Sequence, residues 1–257
     1  MAGVGIVDCV AYVPEDRFDL RAAAEALGAD EDFLEQKTGV VSAARRAFDE
    51  DASQLAEKAI ERLFERRPEV RDDLGLLIVV TQNPDGFGLP HVSALVHGRL
   101  GLKPSVAAFD VSLGCSGWVY GLSIAKSFME ANGVRNGLLV TSDPYSKVLD
   151  PADRNTTLLF GDAAVATLLS GDAPQWSIGK FIFGTDGSHA GDLVVNEDRR
   201  LFMNGRAIFN FSATRVPQAL RDTLEANELT LDGIDKVLLH QGSRYIVDTI
   251  GQRLGAK

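Results

Sequence analysis

The stretch FDVSLGCSGWVYGLS, Phe109 to Ser123, sets Cys115 between Gly114 and Gly117, where a strand-like run gives way to a helical one. Upstream, Val106 to Val111 is a short, largely apolar run bounded by Pro104 and Gly114. Downstream, Trp118 to Ala131 carries no proline and stops at Asn132-Gly133, the pattern of a buried helix. A thiol in such a turn lies at a helix N-terminus, where partial positive charge and free N–H groups favour the thiolate. Glycines on both sides leave room for a substrate to approach the backbone. The competing reading is an inert, buried thiol; the flanking glycines and the strand-to-helix placement favour a nucleophile.

Outward from this turn, strands alternate with helices. Gly3 to Val10 reads as a strand and Asp19 to Leu27 as a short helix. Asp51 caps a helix from Ala52 to Arg66, with Gln54 completing a capping box. Its apolar positions Leu55, Ala59, Leu63 and Ala56, Ile60, Phe64 follow the helical period. Leu74 to Thr81, LGLLIVVT, is apolar almost throughout, as in a parallel strand buried on both faces. Pro90 to Leu100 reads as a helix, Gly137 to Ser142 as a strand, and Phe160-Gly161-Asp162 opens a further apolar run to Ser170. Beyond Gly171-Asp172 come strand-like Ser177 to Phe183, a turn at Asp186-Gly187 and strand-like Asp192 to Asn196. A helix from Ala207 to Ala226, a strand KVLLH from Lys236 to His240 and a helix from Tyr245 to Leu254 follow. The alternation predicts α/β layers about a mainly parallel sheet, in two halves, 1–172 and 173–257.

At 257 residues, 45% apolar and 24% charged, the chain is long enough for a sizeable core in one large domain or two smaller ones. No apolar run approaches the roughly 20 residues that span a bilayer. The opening MAGVGIVDCVAYVPEDR has neither the basic start nor the cleavage site of a signal peptide, so a cytoplasmic protein is expected. Two cysteines, Cys9 and Cys115, build neither a disulfide framework nor a metal cage. A net charge of −10 disfavours nucleic acid and obliges any acidic partner to use a local patch. Arg199, Arg200, Arg206, Arg215 and Arg244 are candidates for that patch, against the alternative of scattered solvated arginines.

His240 ends an apolar strand and precedes Gln-Gly-Ser-Arg, where open α/β sheets place their ligands; a core histidine or a helix cap is the alternative. His91, His97 and His189 lie in loop or helix contexts and are weaker candidates. Cysteine with histidine suits acyl transfer through a thioester: the thiolate attacks and the imidazole handles protons or charge.

DVSLGCSGWVYGL, DPADRNTTLLFGDAAVATLL and VLLHQGSRYI resemble the three main signatures of the β-ketoacyl-acyl-carrier-protein synthase III family, and QKTGV (Gln36 to Val40) and LPHVSALVHGRLGL (Leu89 to Leu102) keep the register between them. The resemblance implies a thiolase-like five-layer α-β-α-β-α sandwich of two pseudo-twofold halves, assembled as a homodimer. It implies that Cys115 takes an acyl group from coenzyme A and that His240 helps condense it with malonyl-acyl-carrier protein, with no metal or redox cofactor. Arg154 would stand at the mouth of the pantetheine tunnel, Phe33 and Lys37 would meet the nucleotide, and Leu89 would reach the partner's acyl pocket. Trp118, on the same helix face as Cys115, either narrows the pocket or packs into the core. The Cys115 N–H and a later glycine-rich loop would make an oxyanion hole.

Departures from the pattern are expected to matter. The family's asparagine partner to the histidine lies beyond Lys257, so it and the end of the second half are expected to be lacking. Gly242-Ser243 and Tyr245 replace the usual Ala-Asn and arginine, and Ala163 stands where glycine is common. The principal alternative is an acyltransferase that does not condense, passing its acyl group to an alcohol, amine or carrier. A non-catalytic partner subunit has no need of both Cys115 and His240, and a cysteine hydrolase leaves the Phe-Gly-Asp motif unexplained.

Overall fold

In the computed structural model, which describes residues 3–172 and 174–255, the chain opens with strand β1 (Gly5–Tyr12). Strand β2 (Arg17–Asp19) runs into helix α1 (Leu20–Ala26), whose first N–H groups donate to the Asp19 carboxylate. Strand β3 (Ser42–Ala44) precedes helix α2 (Ala52–Arg66). The capping box forms as read: the Asp51 N–H donates to Gln54 Oε1 at 2.9 Å while the Asp51 carboxylate accepts from the first turn. There follow β4 (Leu74–Val80), α3 (Val92–Arg99), β5 (Ala107–Val111), α4 (Gly117–Asn132), β6 (Asn136–Pro144), α5 (Arg154–Thr157) and β7 (Asp162–Ser170). The remainder carries β8 (Trp176–Ser177), β9 (Leu193–Val195), β10 (Leu201–Met203), α6 (Gly205–Ala226) and α7 (Arg244–Leu254).

These elements gather into two compact units. One comprises the chain up to Asp16, Ala44–Tyr145 and Gly161–Ile178; the other comprises Arg17–Ala43, Ser146–Phe160 and the chain from Gly179. The first is built on a six-stranded sheet in the order β5-β4-β6-β7-β1-β8. Parallel pairing is confined to β5, β4 and β6; β7, β1 and β8 each pair antiparallel with their neighbours, so the sheet is mixed rather than mainly parallel. Direction is invisible in the sequence because a strand buried on both faces reads as one apolar run whichever way it points.

Both faces of the central strands are covered. Leu77, Val79, Leu138 and Val140 share a core with Leu55, Ala59, Ile60 and Leu63 of α2. The alternate residues Val80 and Leu139 face α4, where Gly117 and Gly121 bring the helix backbone close. A Cβ on Gly117 would lie 2.4 Å from Val80 Cγ1, and one on Gly121 2.6 Å from Leu139 Cδ1. Glycine at both positions therefore lets α4 seat directly on the sheet, which sets the height of its N-terminus and of the cysteine turn before it.

The second unit is helix-rich, with α6 packed on α7, a two-stranded antiparallel ribbon of β9 and β10, and a small core of Leu20, Ala24, Leu34, Ala43 and Leu158. Two expected strands are corrected here. Of Ser177 to Phe183 only Ser177 is in a ladder, as part of β8, and Lys236 to His240 has no regular secondary structure. Apolar, β-prone runs need a neighbour to complete their hydrogen bonds, and none pairs with these segments among the described residues. Among the described residues no helix is long and apolar enough to cross a membrane.

Candidate active site

Cys115 stands two residues before α4, on the turn that follows β5. Gly114 lies under the Gln82 side chain: a Cβ would come 2.4 Å from Gln82 Oε1, which would have to swing aside, and 3.5 Å from the Tyr145 hydroxyl. Behind the turn, Asp143 near the end of β6 directs one oxygen, Oδ1, at four donors. These are Thr81 Oγ1 (2.9 Å), the Gln82 N–H (2.9 Å), the Asn83 N–H (3.1 Å) and Asn83 Nδ2 (3.2 Å). They fix the bend at 81–83 against the cysteine turn.

The electrostatics oppose the simple expectation of an activated thiolate. Cys115 keeps surface in contact with solvent, yet crowding around the sulfur pushes its thiol up from the ordinary value. The cysteine's own N–H pulls the other way, and the Asp143 charge adds to the rise. Burial likewise raises the Asp143 carboxyl against the pull of its donors, and raises the Tyr145 phenol, with Asp143 and then Cys115 adding to it. The helix terminus is outweighed because desolvation acts on the sulfur directly.

His240 lies in the second unit, in the irregular segment before α7. The residue retains exposure, but burial of the ring lowers the imidazole below its ordinary value. Gly242 lies beside that ring: a Cβ there would sit 3.4 Å from Cδ2 and 3.6 Å from Nε2, an ordinary contact. The second unit also brings together three other residues singled out in the sequence. The Arg154 guanidinium stacks over the Phe33 ring at 5.5 Å, and Lys37, four residues along the same helical turn, places its ammonium 4.2 Å from the centre of the Tyr245 ring. Lys37, Phe209, Tyr245, Gln252 and Arg253 line a cleft of about 670 Å³.

Leu89 is 90% exposed, in the segment joining β4 to α3 of the first unit. Trp118 is partly exposed and donates its indole N–H to Thr167 Oγ1 of β7 at 3.1 Å. Ala163 takes an ordinary place in the ladder opposite Asp143, and Asp162 receives the Arg46 N–H at 2.8 Å. Of the arginines, Arg200 donates to the Leu149 carbonyl, Arg215 pairs with Asp186, and Arg244 pairs with Asp248 and donates to the Glu35 carbonyl.

Comparison with known proteins decides the family. The model of 3-oxoacyl-[acyl-carrier-protein] synthase III matches residues 109–187. The β-ketoacyl-[acyl-carrier-protein] synthase III of Geobacillus kaustophilus is 32% identical over 255 residues, covering 98% of this chain and 80% of the relative. That of Streptococcus sanguinis is 31% identical over 257 residues, covering 95% and 78%. The crystal structure of the Thermus thermophilus synthase III superposes with a TM-score of 0.91 at 32% identity, covering 98% of this chain and 81% of that one. The chain belongs to this family. It is a condensing acyltransferase with the thiolase-like fold.

Sequence reading missed several residues around Cys115 in this enzyme. Asp143 was signalled only as a carboxylate closing the apolar run LLVTSD, and Gln82 and Tyr145 lie 33 and 30 residues from the cysteine, with no motif linking them. Only the parallel pairing of β4 with β5 and β6 brings the three together.

Proposed function

We propose that the enzyme transfers an acyl group from an acyl-CoA to Cys115 and condenses it with malonyl-acyl-carrier protein. In the first half the cysteine sulfur attacks the thioester carbonyl and CoA leaves as its thiol. In the second, malonyl thioester loses carbon dioxide, the carbanion attacks the acyl-cysteine carbonyl, and the cysteine sulfur is expelled. The product is a β-ketoacyl thioester on the carrier. The observation that carries this reading is Cys115 on the turn into α4 in a chain over 30% identical, across most of its length, to named synthases III. Decarboxylation supplies the carbanion, so the reading calls for no metal or redox cofactor.

His240 is assigned the stabilisation of the enolate formed on decarboxylation. Arg154 and Phe33 offer a cation and an aromatic face for the nucleotide of coenzyme A. Lys37, its ammonium over the Tyr245 ring, supplies positive charge for the same nucleotide. Leu89, carried on an exposed segment, and the open edge at β5 suit a homodimer in which each copy reaches the other's acyl site. A reducing, cytoplasmic setting keeps the Cys115 thiol free for this chemistry.

Incubation with an acyl-CoA is expected to leave one acyl adduct, on Cys115 at the turn into α4 and not on Cys9, which lies within strand β1 of the sheet. Peptide mass mapping reads it. Acylation that persists undiminished in Cys115→Ala overturns the assignment.

A further inference from the structure

Two of the residues assigned to the nucleotide, Phe33 and Lys37, sit on one helical turn of the second unit, Phe33–Thr38. The turn closes where the Gly39 N–H donates to the Leu34 carbonyl at 2.7 Å. Gly39 has a φ of +74°, and a Cβ on it would lie 2.6 Å from the Arg244 Cβ, so glycine lets the turn end directly against the start of α7. The Arg244 guanidinium donates to the Glu35 carbonyl at 3.2 Å and ties the same two elements a second time.

From this fixed turn Lys37 projects an exposed side chain, and among the described residues no carboxylate pairs with its ammonium. Asp248, which lines the same cleft, pairs with Arg244. The ammonium rests on an aromatic face instead, 4.2 Å from the centre of the Tyr245 ring. That ring is itself held, stacked on Phe209 of α6 with ring centres 5.0 Å apart and planes 23° from parallel. A lysine moving freely in solvent loses rotamer freedom when it closes on an anion. One already resting on a ring has given up part of that freedom beforehand, and preorganisation of this kind strengthens binding without a new contact to the ligand. A carboxylate partner would also cancel the charge offered to an anion, whereas a ring face holds the cation and leaves its charge in place. The ring covers one side of the ammonium and leaves N–H donors on the other for a phosphate oxygen.

We propose that Tyr245, stacked on Phe209, is a positioning residue that holds the Lys37 ammonium ready for the phosphates of the coenzyme A nucleotide. The proposal rests on the assignment of Lys37 to that nucleotide, and its test separates the two. Second-order rates of Cys115 acylation are measured by intact-protein mass with butyryl-CoA and with butyryl-pantetheine, the same thioester without the nucleotide. The proteins compared are the full chain, Tyr245→Leu, Tyr245→Phe, Lys37→Ala and the double variant of Lys37→Ala with Tyr245→Leu. Tyr245→Leu is expected to slow the CoA thioester about two- to fivefold, the range of one exposed cation–aromatic contact, and to spare the pantetheine thioester. Phenylalanine keeps the ring face, so Tyr245→Phe is expected to retain the native rate. Lys37→Ala is expected to slow the CoA thioester at least as much as Tyr245→Leu, and the double variant to lose nothing further. A native rate with butyryl-CoA in Tyr245→Leu overturns the positioning role alone. So does a loss that is equal for the two thioesters, or one that persists in full in the Lys37→Ala background. A native rate with butyryl-CoA in Lys37→Ala overturns the assignment of Lys37 to the nucleotide and the proposal with it. Failure of both thioesters to acylate a Cys115 that iodoacetamide still alkylates overturns the acyl-transfer reading as well as the proposal.

Discussion

A nucleophilic thiol pushed upward by its surroundings poses a chemical problem at the scale of the residue. Less of Cys115 is thiolate at neutral pH than of a free cysteine, because burial and the Asp143 charge outweigh the cysteine's own N–H. The sign is clear: a raised thiol holds its proton longer, so its reactivity appears only as pH climbs past the ordinary thiol value. Alkylation of Cys115 by iodoacetamide, followed from pH 6 upward, is expected to have its midpoint above that of a free thiol. Asp143→Asn, which removes one of the raising influences, is expected to move the midpoint down. A midpoint below the free-thiol value would restore the helix-terminus picture and refute this one. The cysteine itself was legible in the sequence because glycines on both sides of a strand-to-helix change are a local signal. Its neighbours were not, since Gln82, Asp143 and Tyr145 become neighbours only through strand pairing.

The element that presents Cys115 is α4, and its position depends on what it lacks. Gly117 and Gly121 remove the side chains that would hold the helix off Val80 and Leu139. Gly117→Ala puts a methyl 2.4 Å from Val80 Cγ1, and a β-branched residue in a buried strand has little freedom to yield. The substitution is expected to destabilise by about 1–3 kcal/mol in denaturant titration and to slow Cys115 acylation about tenfold or more, since the turn moves with the helix. Gly98→Ala is the control: that helical glycine in α3 has open space around its Cβ, and alanine there is expected to be neutral or stabilising. Equal stability of the two variants would remove the close-packing account of α4. Helices with caps and strong periodicity, α2 above all, were readable from sequence alone because their determinants lie within one turn. The segments Ser177 to Phe183 and Lys236 to His240 were read as strands on composition, but a strand is a relation between two segments. Composition cannot report a missing neighbour.

Across the whole molecule the proposed chemistry is divided, with Cys115 in one compact unit and His240 in the other. The two residues are perturbed in ways that suit different half-reactions. Burial lowers the His240 imidazole, so the ring stays neutral through the physiological range and carries one N–H to donate and one lone pair to accept. A neutral ring can donate to an enolate oxygen as malonate loses carbon dioxide, a charge that develops only in the condensation half. Acylation makes no such demand. His240→Ala is therefore expected to lower malonyl-dependent carbon dioxide release by about 10²–10³, the cost of one preorganised donor. Acylation of Cys115 in the same variant is expected to fall by less than about tenfold, because no enolate forms in that half. The acid limb of the condensation rate should lie below the ordinary imidazole value, since protonation, which the buried ring resists, puts a positive charge beside the malonyl carboxylate and holds it against loss of carbon dioxide. Carbon dioxide release and acyl-enzyme formation, measured on one preparation of each variant, separate the roles. Equal loss of both activities would make His240 the base that deprotonates Cys115 rather than the donor to the enolate, and unchanged carbon dioxide release would remove it from the mechanism altogether.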